Sequence, residues 1–421
     1  MKKLLMLCYY FPPLGMGGVQ RPAKFAKYLQ LYGWQPTVVT VEPIAYWAQD
    51  PELLRELNSI RIIRTESYDP QRLWQKYRPA IPSASVVRVE APSSARRVLE
   101  QTMAFWLMPD SKILWKRPLL ARIQRLLQEE SFDALYTTSP PHSVHLIGRR
   151  IARRTGLKWV ADFRDSWAGG VVVREPTRVH RRWNRWLQRA VLKQADAVLT
   201  VSQGIADQLK DSFARSEKIH LIPNGFDPED FPSSQAADPF FTFCHCGSIT
   251  RFSDPRVVLQ ALERIRRKTP AVYERIRLLF VGLDVTGKLS QQVADLGLAD
   301  HVCHCGYQNH REALQRLMNS QALLLVARGA DNAHFIPGKT WEYLASGKPI
   351  LALTDVPDTA DVLLKSGAAR LCAPDDPVEC AEAMSALAQN QHSWFKPQND
   401  FINRYNRRRQ TEQLAAVLDA L

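Results

Sequence analysis

Residues 4–41 read LLMLCYYFPPLGMGGVQRPAKFAKYLQLYGWQPTVVTV, and this stretch decides the fold class. Leu4–Phe11 is a short apolar run of the kind that forms a buried strand. Pro12, Pro13 and the glycines at 15, 17 and 18 turn the chain into a loop. From Val19 to Tyr32 apolar residues recur at helical spacing, and Gly33 closes the helix. Gln35–Val41 is a second strand. A helix between two strands is a crossover, and a crossover makes the strands parallel.

The rhythm continues down the chain. Helices are expected at 117–130, at Val144–Thr155, in the Arg- and Trp-rich stretch after 174 and from Ser202. Strands are expected at Asp133–Thr137, Leu157–Phe163, Ala197–Val201 and Ile219–Ile222. A second set follows at Phe241–Cys246, Arg277–Val281, Val302–Cys305, Ala322–Val326, Pro349–Leu353 and Ala369–Cys372, with helices between. The Asp-, Pro- and Ser-rich segment 228–239 is the expected linker. Residues 43–110 show no regular pattern and are expected to be an insertion or a mobile region. Two alternating sets predict two doubly wound α/β domains, 1–227 and 228–396. Ligands in such sheets sit beyond the carboxyl ends of the strands, where every motif below lies, so a single cleft between the domains is expected.

The chain has 421 residues, 45% of them apolar and 23% charged, the composition of a globular protein rather than a disordered, fibrous or disulfide-stapled one. Met1-Lys2-Lys3 and the apolar run behind it imitate a signal peptide. The run is short, and Pro12-Pro13 follow it without a small-residue cleavage site, so it reads as a strand. Seven cysteines without disulfide spacing favour a reducing compartment. Net charge is +14, unevenly spread. Residues 1–225 hold 35 basic and 19 acidic side chains, and 226–421 hold 21 and 23. One basic domain beside a mildly acidic one predicts that only one of them meets an anionic surface.

Two loops carry candidate chemistry. Gly17 and Gly18 follow the first strand and open a helix, where backbone amides approach a phosphate. The nicotinamide fingerprint fails, because Gln20 stands at its last position. The string HFIPGKTWEYLASGKP, His334–Pro349, joins a strand end to a helix. Amides at Gly338, Lys339 and Thr340 are placed to hold a diphosphate, and Glu342 to accept from ribose hydroxyls. An ordinary capped helix is the alternative.

With YYFPPLGMGGVQR, LYTTSPPH, VADFRDSW, ADAVLTVS, LIPNGFD, HCGSI and IPGKTWEYLASGKPI in this order, the chain resembles the GT-B-fold glycosyltransferases of the large retaining group 1 family. The resemblance implies sugar transfer from a nucleotide-sugar, with the donor on the C-terminal domain and the acceptor mainly on the N-terminal one. It implies two Rossmann-like domains facing across a cleft, with a last helix, about 397–421, crossing back. Glu342 matches the second Glu of the family's Glu–seven residues–Glu motif. The first falls at His334, which departs from the pattern and leaves the donor-sugar contact open. Arg164 stands where the family often has a catalytic His, and Ser248 where an Arg is common, with Arg251 the nearest cation.

The resemblance also frames the chemistry. A leaving diphosphate needs positive charge and backbone dipoles, for which Arg251, Lys339 and the Gly17–Gly18 amides are the candidates. Arg164 cannot act as a base but can steady a phosphate or orient an acceptor. Asp162 or Asp165 is placed to hold the acceptor hydroxyl, unless both pair structurally with Arg164. His142 and His145 are acceptor-side candidates, or else satisfied polar residues. No D-x-D triplet occurs, so neither a metal-bridged diphosphate nor any cofactor is expected. The two CHCG strings, Cys244–Gly247 and Cys303–Gly306, sit in strands and read as packing rather than zinc.

Residues 174–193 hold seven basic side chains and one acidic. Trp183, Trp186, Leu187 and Ala190 share a helical face, which belongs either to the core or to an anionic membrane surface. The resulting expectation is a cytoplasmic, metal-independent glycosyltransferase, peripheral on the inner face of the membrane, acting on a glycan or lipid-linked acceptor in cell-surface polysaccharide synthesis. A GT-B nucleotide-sugar epimerase and a degenerate nucleotide-sugar binder are the alternatives. Nucleic acid is not an expected partner, since no recognition motif is present.

Overall fold

The computed structural model describes residues 1–15, 17–44, 49–70, 72–73, 102–103, 105–168, 175–213, 216–233, 239–329 and 336–421. The chain divides into two compact units, Met1–Pro223 with Arg407–Leu421, and Asn224–Asn406.

The first unit is built on seven parallel strands: β1 Lys2–Leu7, β2 Trp34–Val41, β3 Arg61–Thr65, β4 Ala134–Ser139, β5 Lys158–Phe163, β6 Ala197–Thr200 and β7 Ile219–Leu221. Their spatial order is β3-β2-β1-β4-β5-β6-β7. Leu7 lies in register with Val39 on one side and Thr137 on the other. Winding therefore reverses between β1 and β4, which makes the loops after these strands the natural ligand positions. Strand alternation sends Leu5, Leu7, Val39, Val41 and Leu135 to one face, under the helices Lys116–Glu129, Ser143–Thr155 and Arg178–Gln194. Leu4, Met6, Val38 and Tyr136 go to the other, under Gly17–Leu29 and Arg407–Asp419. With both faces covered, the central strands are apolar throughout.

Three expectations need adjustment here. β1 ends at Leu7, and the chain turns before Pro12-Pro13. The helix behind it starts at Gly17, two residues before its first apolar position. Region 43–110 contains a strand, β3, whose sequence Arg-Ile-Ile-Arg-Thr puts charge on a sheet edge and so hides its apolar pattern.

The second unit has six parallel strands: β8 Phe241–Cys246, β9 Ile276–Val281, β10 Val302–His304, β11 Ala322–Ala327, β12 Ile350–Thr354 and β13 Ala369–Cys372. Their order is β10-β9-β8-β11-β12-β13, reversing between β8 and β11. The helix Arg256–Lys268 packs Val258, Leu259, Leu262 and Ile265 onto one face with Pro377–Ala388. The short helix Lys339–Ala345 covers the other through Trp341, Tyr343 and Leu344. The unit boundary falls at Pro223–Asn224, ahead of the segment read as a linker.

Candidate active site

In the second unit the ends of β8 and β11 meet the helix Lys339–Ala345. The Tyr343 hydroxyl accepts from the Cys246 amide at 2.7 Å and reaches the Leu324 carbonyl at 3.3 Å. This fastens the helix to both strands and fixes where its outward side chains point. Lys339 Nζ lies 2.9 Å from His245 Nε2. Burial lowers the Lys339 pKa to about 8. No carboxylate pairs with this ammonium among the described residues. Glu342 Oε1 is 2.8 Å from His310 Nε2, a partner that came from the helix His310–Asn319 and was not foreseen.

Other donor-side candidates have different surroundings. Arg251 is exposed, with its guanidinium over the Phe252 ring at 4.4 Å. The Thr340 amide is spent on the Pro337 carbonyl at 3.0 Å, while its buried hydroxyl has no hydrogen-bond partner among the described residues. Gly338 is exposed, and His334 lies outside the described residues. Cys244 and Cys246 sit 3.5 Å apart on one side of β8, and His245 points away from them into the pair with Lys339.

In the first unit Asp162 is buried at the end of β5 and fully engaged. Arg21 grips it with Nε at 3.0 Å and Nη2 at 2.9 Å, a two-pronged ion pair. The hydroxyls of Tyr136, at 2.6 Å, and Thr138, at 3.0 Å, donate to Oδ2. The Asp162 pKa is lowered: burial would raise it, and the Arg21 charge overrides that. This arrangement positions β4, β5 and the helix Gly17–Leu29, and full burial closes the carboxylate to an acceptor. The structural partner is Arg21, not Arg164.

Arg164 is a clamp. Its Nε donates to the Ser139 carbonyl at 2.8 Å, Nη2 to Pro140 at 3.3 Å and Nη1 to Gly18. It ties the loop after β4 to the start of the glycine helix. Gly17 and Gly18 are exposed, and a Cβ on Gly17 would meet nothing within 4 Å. Asp165, half-buried and next in chain to the clamp, has no bonded partner among the described residues. Burial pushes its carboxyl up to about 6, with the Arg164 charge opposing. Of the three residues predicted for chemistry, Asp165 alone keeps an available carboxylate.

His142 and His145 are both buried, contrary to a role at an open surface. His142 stacks on Trp167 at 5.0 Å with rings 7° apart, and His145 lies 4.4 Å from Phe163. Thr137 Oγ1 accepts from Trp159 Nε1 at 2.9 Å and lies 2.8 Å from His145 Nδ1. Burial holds the His142 pKa well below its usual value and lowers His145 to about 3. Both rings are neutral core members of the strand-end layer.

Comparison with known proteins fits this two-unit layout. Residues 17–225 match the family described as Glycosyl transferase 4-like domain, and residues 241–390 match Glycosyl transferases group 1. The chain belongs to the group 1 glycosyltransferases. D-inositol 3-phosphate glycosyltransferase of Stackebrandtia nassauensis is 30% identical over 131 residues, which cover 27% of this chain and 30% of that protein. The chain also superposes on Anabaena Alr3699/HepE in complex with UDP and glucose, with TM-score 0.65, 16% identity and all of both chains covered. WaaG, a glycosyltransferase involved in lipopolysaccharide biosynthesis, gives TM-score 0.60 at 14% identity over 99% of each chain. At these identities the two structures show the shared GT-B fold.

This group 1 glycosyltransferase carries one surface feature that the sequence left open. Trp183 and Trp186, on the helix Arg178–Gln194, are 52% and 57% exposed, while Leu187 is buried. The two tryptophans contact each other, with ring centroids 5.4 Å apart. Trp106 and Val179 are exposed as well, at 76% and 73%. His180 Nε2 meets the Phe105 carbonyl at 3.1 Å, which holds the Phe105–Trp106 pair against this helix. Arg182, Arg185 and Arg189 are exposed on it without ion pairs among the described residues. No helix among the described residues is long and apolar enough to cross a membrane.

Proposed function

We propose that the protein transfers a sugar from a nucleoside diphosphate sugar to a glycan or lipid-linked acceptor in cell-surface polysaccharide synthesis, with retention and without a metal. The observation that carries the reading is the Lys339–Glu342 pair of sites on one short helix. An ammonium without an anion in a partly desolvated place is costly and is neutralised when a diphosphate arrives. Glu342, one turn on, keeps an oxygen beyond the one facing His310, and that oxygen suits a ribose hydroxyl. The similar HepE structure is a complex with UDP, which makes uracil the first base to try.

On the acceptor side, Asp165 takes the hydroxyl that attacks. A carboxyl titrating at about 6 is mostly ionised at pH 7 and still basic enough to accept a proton under strain. Arg164 and Asp162 then serve as the frame that holds the Asp165 segment. The acceptor is delivered at an anionic bilayer: exposed tryptophans beside unpaired arginines suit the interface of a membrane, where the ring sits at headgroup depth and the guanidinium meets phosphate. On this reading the enzyme works at the inner face of the cytoplasmic membrane.

A thermal-shift and calorimetry screen with UDP, GDP, ADP, CMP and dTDP tests the donor side. One diphosphate is expected to bind, and Glu342→Ala to weaken it. Equal affinity in wild type and variant would remove the ribose role. Epimerised donor formed without any acceptor would replace transfer by epimerisation. Co-sedimentation with anionic vesicles at low salt tests the surface, and charge reversal at Arg181, Arg182, Arg185 and Arg189 is expected to release the protein.

A further inference from the structure

We propose that His245 is the positioning residue that aims the Lys339 ammonium at the donor diphosphate, and that this pair supplies the positive charge which the loop after β8 lacks. The proposal rests on the donor reading above and adds to it a residue outside the recognised motif.

Geometry fixes the state of the imidazole. His245 Nδ1 is 3.1 Å from the Leu324 carbonyl of the neighbouring strand. A carbonyl only accepts, so Nδ1 carries the proton. Burial holds the ring well below its usual pKa and the Lys339 charge adds to this, so the imidazole is neutral and Nε2 bears a lone pair. That lone pair accepts from Lys339 Nζ at 2.9 Å. Leu324 thus selects the tautomer, and the tautomer holds the lysine.

A neutral acceptor is the right partner for this task. A carboxylate at the same place would cancel the charge of the ammonium, whereas the imidazole orients it and leaves the charge for an anion. Gly247 makes the room: its φ is +131°, and a Cβ there would stand 3.1 Å from Nζ and 3.3 Å from Cε. Beyond it come Ser248, which carries no charge, and Arg251, which is exposed and laid over Phe252. Among the described residues, Lys339 is therefore the cation held in place at this strand end. The other titratable groups facing it are Cys244 and Cys246 of β8, Tyr343 and Glu342 of its own helix, and His310 through Glu342. The Cys246 thiol is kept protonated by the Cys244 hydrogen bond and by burial, and burial does the same for the Tyr343 hydroxyl.

The full chain is tested by calorimetry with UDP, GDP, ADP, CDP and dTDP in turn, and by competition with the matching nucleosides. His245→Leu removes the acceptor but leaves the Leu324 carbonyl to Tyr343. It is expected to weaken the bound diphosphate about tenfold, the scale of a hydrogen bond to a charged group, and Lys339→Met at least as much. Nucleoside affinity is expected to stay unchanged in both. His245→Gln puts an amide oxygen near the place of Nε2 and is expected to recover most of the loss. Wild-type affinity should fall as pH rises through about 8, where Lys339 deprotonates, and this slope should vanish in Lys339→Met. Diphosphate affinity equal to wild type in His245→Leu overturns the proposal. So does an equal loss for diphosphate and nucleoside, which marks a merely structural histidine. Wild type that binds none of the five diphosphates overturns the donor reading itself.

Discussion

Replacing Arg21 by Met tests whether Asp162 is framework. The guanidinium and carboxylate are 1% and 0% exposed, so solvent screening does not dilute their interaction. Removing Arg21 strips Asp162 of two charge-assisted bonds and leaves it with Tyr136 and Thr138. Breaking one side of a buried pair costs about 3–5 kcal/mol, because an uncompensated charge stays behind. That is a fifth or more of the roughly 5–15 kcal/mol that a domain has in hand. Asp162→Leu is expected to be worse, since it strands a buried cation and two buried hydroxyls, each worth about 1–3 kcal/mol when orphaned. In the double variant no charge is stranded and only the hydroxyl penalties remain. Its cost should not exceed that of Asp162→Leu alone, giving a coupling of at least about 3 kcal/mol. Urea unfolding of the four proteins, followed by a first-unit tryptophan signal, measures the cycle. Additive costs, or a loss below about 1 kcal/mol in Arg21→Met, would refute the framework role. An Asp162→Asn variant with an unshifted midpoint and lost transfer would instead make the carboxylate catalytic.

Three further outcomes are expected. His142 and His145 stay neutral when folded, so below pH 6.5, and for His145 down to about 3, the unfolded chain binds more protons, and stability rises with pH across that window. Urea unfolding should lose about 1.4 kcal/mol per histidine for each unit of acidification below 6.5, and His142→Phe should halve the slope. A Cβ at Gly148 would run into Thr137 Cγ2 and press on the Trp159 ring, so Gly148→Ala should cost about 1–3 kcal/mol by the same assay. If Asp165 takes the acceptor hydroxyl, kcat/KM for the acceptor should drop as pH falls through about 6. Asp165→Asn should remove that limb and about 10²-fold of rate.

The parallel α/β layout was legible because buried central strands write themselves as apolar runs. β11, Ala322–Ala327, is apolar at every position and buried at every position. β3 was not legible, because an edge strand carries Arg61 and Arg64. The site was readable in part. Lys339 and Glu342 stand out by motif, since a helix opening after a glycine has few reasons to bear both. Arg21 was missed: it stands within an amphipathic helix, where a charge reads as solvated, and its partner lies 141 residues away. Strand parity held a clue, because Tyr136 and Thr138 share the face that meets Asp162. His245 was visible as the residue opposite two thiols, but its meaning depends on Leu324 and Lys339, which only the fold brings to it.

The basic excess of the first half is narrower in effect than its count. Arg21 and Lys24 are interior and neutralised by Asp162 and Glu56. Lys3, Lys112 and Lys158 pair with Glu130, Asp69 and Asp196, and Arg164 spends its donors on carbonyls. Among the described residues, what projects outward without a partner includes Arg182, Arg185 and Arg189, beside Trp183 and Trp186. A solvated basic helix would have kept its tryptophans in the core, since each exposed indole forgoes a large apolar burial. Two of them outside, in mutual contact, fit the interface of mixed polarity proposed above. An anionic bilayer offers that to the rings and the arginines at once, at a distance where salt screens the charge but not the ring. Binding to vesicles should therefore weaken in two separable ways. Added salt should remove the arginine share, and Trp183→Ser with Trp186→Ser should remove the share that survives salt. A salt-resistant remainder that persists in the serine double variant would place the attachment elsewhere on the molecule.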